Sequence, residues 1–146
     1  MIQLFTELQE KKNVRSNLSA LRASLKEATE EQKAQAIEFV RGHEDLVFGF
    51  LQEEDAKTRK NAALLLGDLA VQNALQPLWK AYTREQTLFI KSAYLEAMKA
   101  LHAEEILSQL KDRLAELEGE PVTEENRKHW EAELRALRAI LIQYEG

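Results

Sequence analysis

The side chains able to do chemistry here are three histidines, five serines and 25 carboxylates, with no cysteine in 146 residues. Disulfides, thiolate metal sites and cysteine nucleophiles are therefore excluded. His43, His102 and His129 are scattered and match no HExxH or other ligand spacing. Glu125, His129 and Glu133 fall at i, i+4 and i+8 of the last predicted helix. That spacing makes one stripe, and an exposed stripe that supports the helix is the expected reading rather than a metal site. Glu30–Glu31, Glu53–Glu54, Glu104–Glu105 and Glu124–Glu125 are adjacent pairs. Neighbours on a helix point about 100° apart, so these are not catalytic dyads. Ser16, Ser19, Ser24, Ser92 and Ser108 lack an elbow motif or a fixed histidine. No strand followed by a glycine-rich turn is present, so no adenosylmethionine site is expected. The pattern implies no metal, no cofactor and no catalytic residues.

The stretch DAKTRKNAALLLGDLA, residues 55–70, concentrates charge at the start of a helix. Asp55 suits the N-cap and the positive end of the helix. Ala62, Leu65, Leu66 and Leu69 share the core stripe, which turns Lys57 and Lys60 outward. Lys57, Lys60 and Asn61 are the candidate partner-binding residues. Gly67, mid-helix, costs about 1 kcal/mol relative to alanine, and close packing of a neighbouring helix is the reason expected for it.

The elements that must position these residues are helical throughout. Only 5 Gly and 2 Pro punctuate the chain, which leaves few, long segments. Apolar residues recur at helical spacing from end to end, giving about eight helices and no strand. Residues 2–10 form a short leading turn or helix. Val14, Leu18, Leu21 and Leu25 line the next one. Thr29 with Gln32 reads as a capping box, and Gly42 stands where a left-handed C-terminal cap is wanted. Thr123 is expected to cap the last helix. Trp79 is expected to be partly buried, and Trp130 to share a core stripe with Leu134, Leu137 and Leu141.

The net charge of −5 speaks against broad attraction to nucleic acid. The excess lies in residues 101–146, with 6 basic and 11 acidic groups. No apolar run approaches the ~20 residues of a membrane span, and the first residues lack a signal-peptide layout. A soluble, cytoplasmic protein is the expectation.

The middle of the chain repeats itself. A shift of 32 lays residues 46–67 on 78–99: Leu46 meets Leu78, Phe50 meets Tyr82, Glu53 meets Glu85, Asp55 meets Thr87, Arg59 meets Lys91 and Leu66 meets Met98. Aromatic, acid, cap and base recur in register, at a period used by stacked helix pairs. One pair cannot bury its own apolar surface, so neighbours must cover it.

Glu53, Arg59, Ala62, Ala63, Leu66 and Gly67 resemble the HEAT repeat in its short bacterial form. Glu85, Lys91, Leu95 and Met98 follow the same pattern, with Lys99 in place of the glycine. The resemblance covers residues 43–102. It implies a ladder of Glu53, Arg59, Glu85 and Lys91 between repeats, a concave face lined by the second helices, and protein or nucleic-acid binding rather than a reaction. LQEEDAKTRKNAALLLGDLA, FIKSAYLEAM and TEENRKH are also similar to the N-terminal helical region of Firmicutes methyltransferases of the RNA-methylase kind. That resemblance implies a domain of a larger enzyme.

The expected fold is all-α: one domain, 1–146, an α-solenoid-like right-handed stack of antiparallel helix pairs. The best repeats are 46–67 and 78–99, residues 1–42 are N-terminal capping helices, and 103–146 form a C-terminal pair. The expected function is a non-enzymatic scaffold or interaction module with a protein partner or an attached domain. The alternative is an RNA- or substrate-positioning domain of a larger adenosylmethionine-dependent RNA methyltransferase. A stand-alone HEAT-like DNA glycosylase is disfavoured, because it needs a basic concave face.

Overall fold

The computed structural model describes residues 1–145. They form nine α-helices and no strand: α1 (Ile2–Gln9), α2 (Val14–Leu25), α3 (Glu30–Gly42), α4 (Glu44–Gly49), α5 (Ala56–Asp68), α6 (Leu75–Arg84), α7 (Leu88–Lys99), α8 (Leu107–Glu118) and α9 (Arg127–Leu141). Short 3₁₀ turns follow α4 and α9 and precede α6 and α8. No described helix is long and apolar enough to cross a membrane.

The helices lie in two layers. In the first, α2 packs on α5, α5 on α7, and α7 on α9. Contacts at both ends fix their direction. Arg15, near the start of α2, meets Asp55 at the start of α5, and Arg22 meets Asp68 at the two ends. Arg59 reaches Thr87 at the start of α7, while Gly67 lies against Ala97 near its end. Helices α2, α5 and α7 therefore run parallel with their starts in a row. Helices α4, α6 and α8 form the second layer. Each feeds the helix after it, and Arg113 of α8 reaches Tyr82 of α6. Helices α1 and α3 close the near end, joined by a stack of Phe5 on Phe39 at 4.5 Å. The starts of α5 and α7 are 32 residues apart, which is the sequence period.

Burial follows the expected stripes. Ala62, Leu65 and Leu66 of α5 and Leu69 just after it are buried, as are Leu18, Leu21 and Leu25 of α2. Tyr82, Tyr94 and Phe50 are the largest fully buried side chains. Gly67 does meet a neighbouring helix. A Cβ there would stand 2.7 Å from Ala97 Cα. The capping box at Thr29 and Gln32 is present in both directions.

Three local expectations are corrected. Gly42 does not adopt a left-handed cap; no described glycine has positive φ, and α3 passes into α4 through His43, which is neither helical nor extended (φ −139, ψ 38). Thr87 occupies the N-cap of α7, but its side chain makes no capping bond; the Glu85 carboxylate takes the Thr87 amide instead, at 3.0 Å. Thr123 caps only a preliminary turn, exchanging hydrogen bonds with Asn126, and regular helix begins at Arg127.

Candidate functional site

The solvent face of the row begins with Lys57 and Lys60. Asp55 accepts the Thr58 amide at 2.9 Å and its hydroxyl at 2.7 Å, which fixes the first turn of α5. With Thr58, Ala62 and Leu65 turned inward, Lys57 is exposed and Lys60 half-buried. Neither makes an ion pair among the described residues. Asn61 differs: its amide donates to the Arg15 carbonyl of α2 at 3.4 Å, so it joins the two helices. Leu88 and Phe89, the first two residues of α7, are each 50% exposed. Because the helix starts are aligned, this apolar pair lies along the same edge as Lys57 and Lys60. Phe89 takes the register position of Lys57, one repeat on. The 32-residue shift already placed Phe89 at an outward position, and that signal was available in the sequence.

The four residues of the implied ladder have unlike surroundings. Arg59 forms a two-pronged pair with Glu85, Nε to Oε1 and Nη2 to Oε2, both at 2.9 Å. Its Nη1 donates to the carbonyls of Glu53 and Glu54. The Glu53 side chain is exposed and makes no ion pair among the described residues. Lys91 stands 5.0 Å from the centre of the Tyr82 ring. Tyr94 adds a hydroxyl donor to Glu85 at 2.6 Å. Burial pushes the Glu85 carboxyl up, but the Arg59, Tyr94 and Thr87 donors outweigh it and hold it at about 2. Burial, reinforced by the bond to Glu85, raises the Tyr94 hydroxyl. Arg59 and Glu85 also line a cleft of about 640 Å³ between α6 and the turn after α4. Leu51, Pro77 and Ala81 supply its apolar wall, and Lys80 and Arg84 its remaining cations.

A second polar cluster was not anticipated. Glu133 is buried and receives three groups on one oxygen: Tyr82 Oη at 2.6 Å, Arg113 Nη2 at 2.8 Å and Arg113 Nε at 3.0 Å. Burial and the bond to Glu133 both raise the Tyr82 hydroxyl. This overturns the exposed Glu125–His129–Glu133 stripe. Glu133 faces the core, Glu125 precedes the regular helix, and no described group of three acidic or histidine side chains could hold a metal ion. The missed signal was Glu133 itself, a carboxylate inside the stripe of Trp130, Leu134 and Leu137. Trp130 is half-buried, its indole donating to the Leu117 carbonyl at 2.8 Å. Trp79 is half-buried against Tyr82.

Comparison with protein-family models, curated proteins and solved structures finds no match. The functional reading rests on the chain's own geometry.

Proposed function

We propose that this chain is a non-enzymatic, HEAT-like interaction module that holds a protein partner against the starts of α2, α5 and α7. One observation carries the reading: three parallel helix starts, tied side by side, bring Lys57 and Lys60 to the same edge as Leu88 and Phe89. Unpaired cations beside exposed apolar side chains are an unusual use of surface unless something covers them. The rungs Arg15–Asp55 and Arg59–Glu85 hold this edge in place, so a partner meets a preformed surface at little ordering cost. Asn61 serves the edge by fixing α5 to α2. The chemistry of the buried clusters supports a scaffold too. Glu85 is held far below neutral pH, and Tyr82 and Tyr94 are raised. General acid–base work asks for groups tuned toward neutrality.

The test is a photo-crosslinking residue placed at position 57 or 89 in cells, with Lys111 on α8 as the control position. A discrete adduct from 57 and 89 but not 111 is expected, with the adduct from 89 lost in K57E/K60E. Equal labelling from all three positions refutes the reading.

Phe89 beside two lysines also favours a second reading, an RNA-positioning domain of a larger methyltransferase. Aromatic stacking with nearby cations is how single strands are held. It requires RNA affinity that falls with salt, with a slope that shrinks by about one per lysine removed.

A further inference from the structure

At the near end of the stack, α1 and α3 enclose a shallow groove of about 620 Å³. Ile2, Phe5, Ala34 and Phe39 supply its apolar surface. Ile2 is 75% exposed, the most exposed large apolar side chain described. The walls are held rigidly. Phe5 stacks on Phe39, and Phe39 stacks on His43 at 4.6 Å. His43 Nδ1–H donates to the Phe39 carbonyl at 2.8 Å, and its Nε2 accepts from the Gln9 amide at 2.6 Å. These bonds tie α1, α3 and the start of α4 together across the back of the groove.

The charges on the groove are of one sign. Glu31 and Glu38 are its only carboxylates, both exposed, and no Lys or Arg lines it; His43 lines it too, with both ring nitrogens engaged by Phe39 and Gln9. Glu31 makes no ion pair among the described residues, nor does Glu38. They stand seven residues apart on one helix, about 10 Å along its axis. An extended chain spans about the same distance in three residues, at ~3.3 Å each. A cation, two apolar residues and a second cation therefore match the groove in both charge and spacing.

We infer that this groove docks a short basic–apolar protein segment, in which Lys or Arg residues flank one or two bulky apolar side chains. The apolar side chains fill the space between Ile2, Phe5 and Phe39, and the flanking cations meet Glu31 and Glu38. The site is separate from the Lys57–Phe89 edge and opposite to it in charge, so it selects a different segment.

The test uses the full chain labelled with nitrogen-15 and three synthetic peptides: Ac-KRLFRK-amide, its acidic counterpart Ac-EELFEE-amide, and Ac-KRSSRK-amide without the apolar pair. Amide resonances of Ile2, Phe5, Ala34, Gln35 and Phe39 should move with the first peptide and not with the acidic one. Affinity should fall at least about tenfold for KRSSRK, since the apolar pair supplies the anchor. E31K/E38K should abolish the shifts while leaving the helical circular dichroism unchanged, and K57A/K60A should leave them intact. Equal binding of KRSSRK, or shifts centred on the acidic C-terminal third, overturns the proposal as non-specific charge attraction. Groove shifts that appear on concentrating the chain alone overturn it in favour of a second copy. No shift at millimolar peptide also overturns it. None of these outcomes touches the Lys57–Phe89 reading, which fails or stands by crosslinking at 57 and 89.

Discussion

Replacing Gly67 with alanine sets two effects of opposite sign against each other. Position 67 lies inside α5 with ordinary helical backbone. There alanine is favoured over glycine by about 1 kcal/mol, because glycine loses more backbone freedom on folding. The opposing effect is steric. The new Cβ would stand 2.7 Å from Ala97 Cα, 3.1 Å from Ala97 Cβ and 3.2 Å from Ala97 O. Carbon atoms prefer a separation of about 3.5–4.0 Å. Helices α5 and α7 must therefore move apart by roughly 1 Å, and no rotamer change can avoid it, because the nearest atom is backbone. Overpacking of this kind costs about 1–3 kcal/mol, and a clash with backbone belongs at the upper end. G67A should lower stability by about 1–2 kcal/mol net. Urea unfolding followed by helical circular dichroism should show a lower midpoint with an unchanged slope. Gly49→Ala is the matched control. Gly49 is helical, and nothing lies within 4 Å of its added Cβ. It should gain about 0.5–1 kcal/mol. A97G should not rescue G67A, since it removes only the methyl group and leaves the nearer backbone atom in the way. A G67A variant more stable than the parent would refute the close approach of α5 and α7, and with it the parallel row.

The Glu85 carboxyl is lowered from 4.5 to about 2 in the folded chain. A depressed folded value means stability that is full above pH about 4.5 and lost as pH falls toward 2. The shift is worth up to about 3 kcal/mol at 1.36 kcal/mol per unit. Acid titration of stability should show that loss, and R59A should be less stable at neutral pH and flatter across the acid range. E133A should cost about 2–3 kcal/mol, because the buried Tyr82 hydroxyl loses its acceptor, while Arg113 keeps its pairs with Glu116 at 3.4 Å and Glu120 at 3.0 Å. Urea unfolding of Y82F should show a smaller loss, about 1–2 kcal/mol, since Arg113 still satisfies the carboxylate. K57A/K60A should stay within about 0.5 kcal/mol of the parent by thermal melting, as expected of surface residues outside the packing. Any larger loss would mean that these lysines support the fold rather than a partner.

The helices were legible because their signals are local. Apolar spacing located α5 and α7, and the pair Thr29–Gln32 announced the start of α3. Side-chain direction was legible to the same extent: Leu65, Leu66 and Leu69 went inward and Lys57 outward as the stripe required. Helix ends were less so. Gly42 looked like a left-handed cap because glycine commonly serves there. The chain turns straight into α4 instead, and needs no such residue. Asn61 looked free because its stripe faces outward. Its bond to the Arg15 carbonyl depends on how α2 crosses α5, and no local pattern encodes that.

The buried polar clusters show why the repeat fades toward its end. Arg59 meets Glu85, which is 26 residues on. The same step applied to Lys91 lands on Leu117, which is buried and apolar. The ladder therefore cannot take another rung, and Lys91 settles over the Tyr82 ring. Tyr82 has replaced Phe50 of the preceding repeat, and its added hydroxyl must find a partner once buried. Glu133 of α9 supplies it, and Arg113 of α8 neutralises the charge. One aromatic substitution between repeats thus accounts for a carboxylate in the core of α9 and for an arginine on α8. The next helix pair is held to the stack by a lock of its own. Its residues depart from the repeat because they answer to Tyr82, not to the 32-residue register.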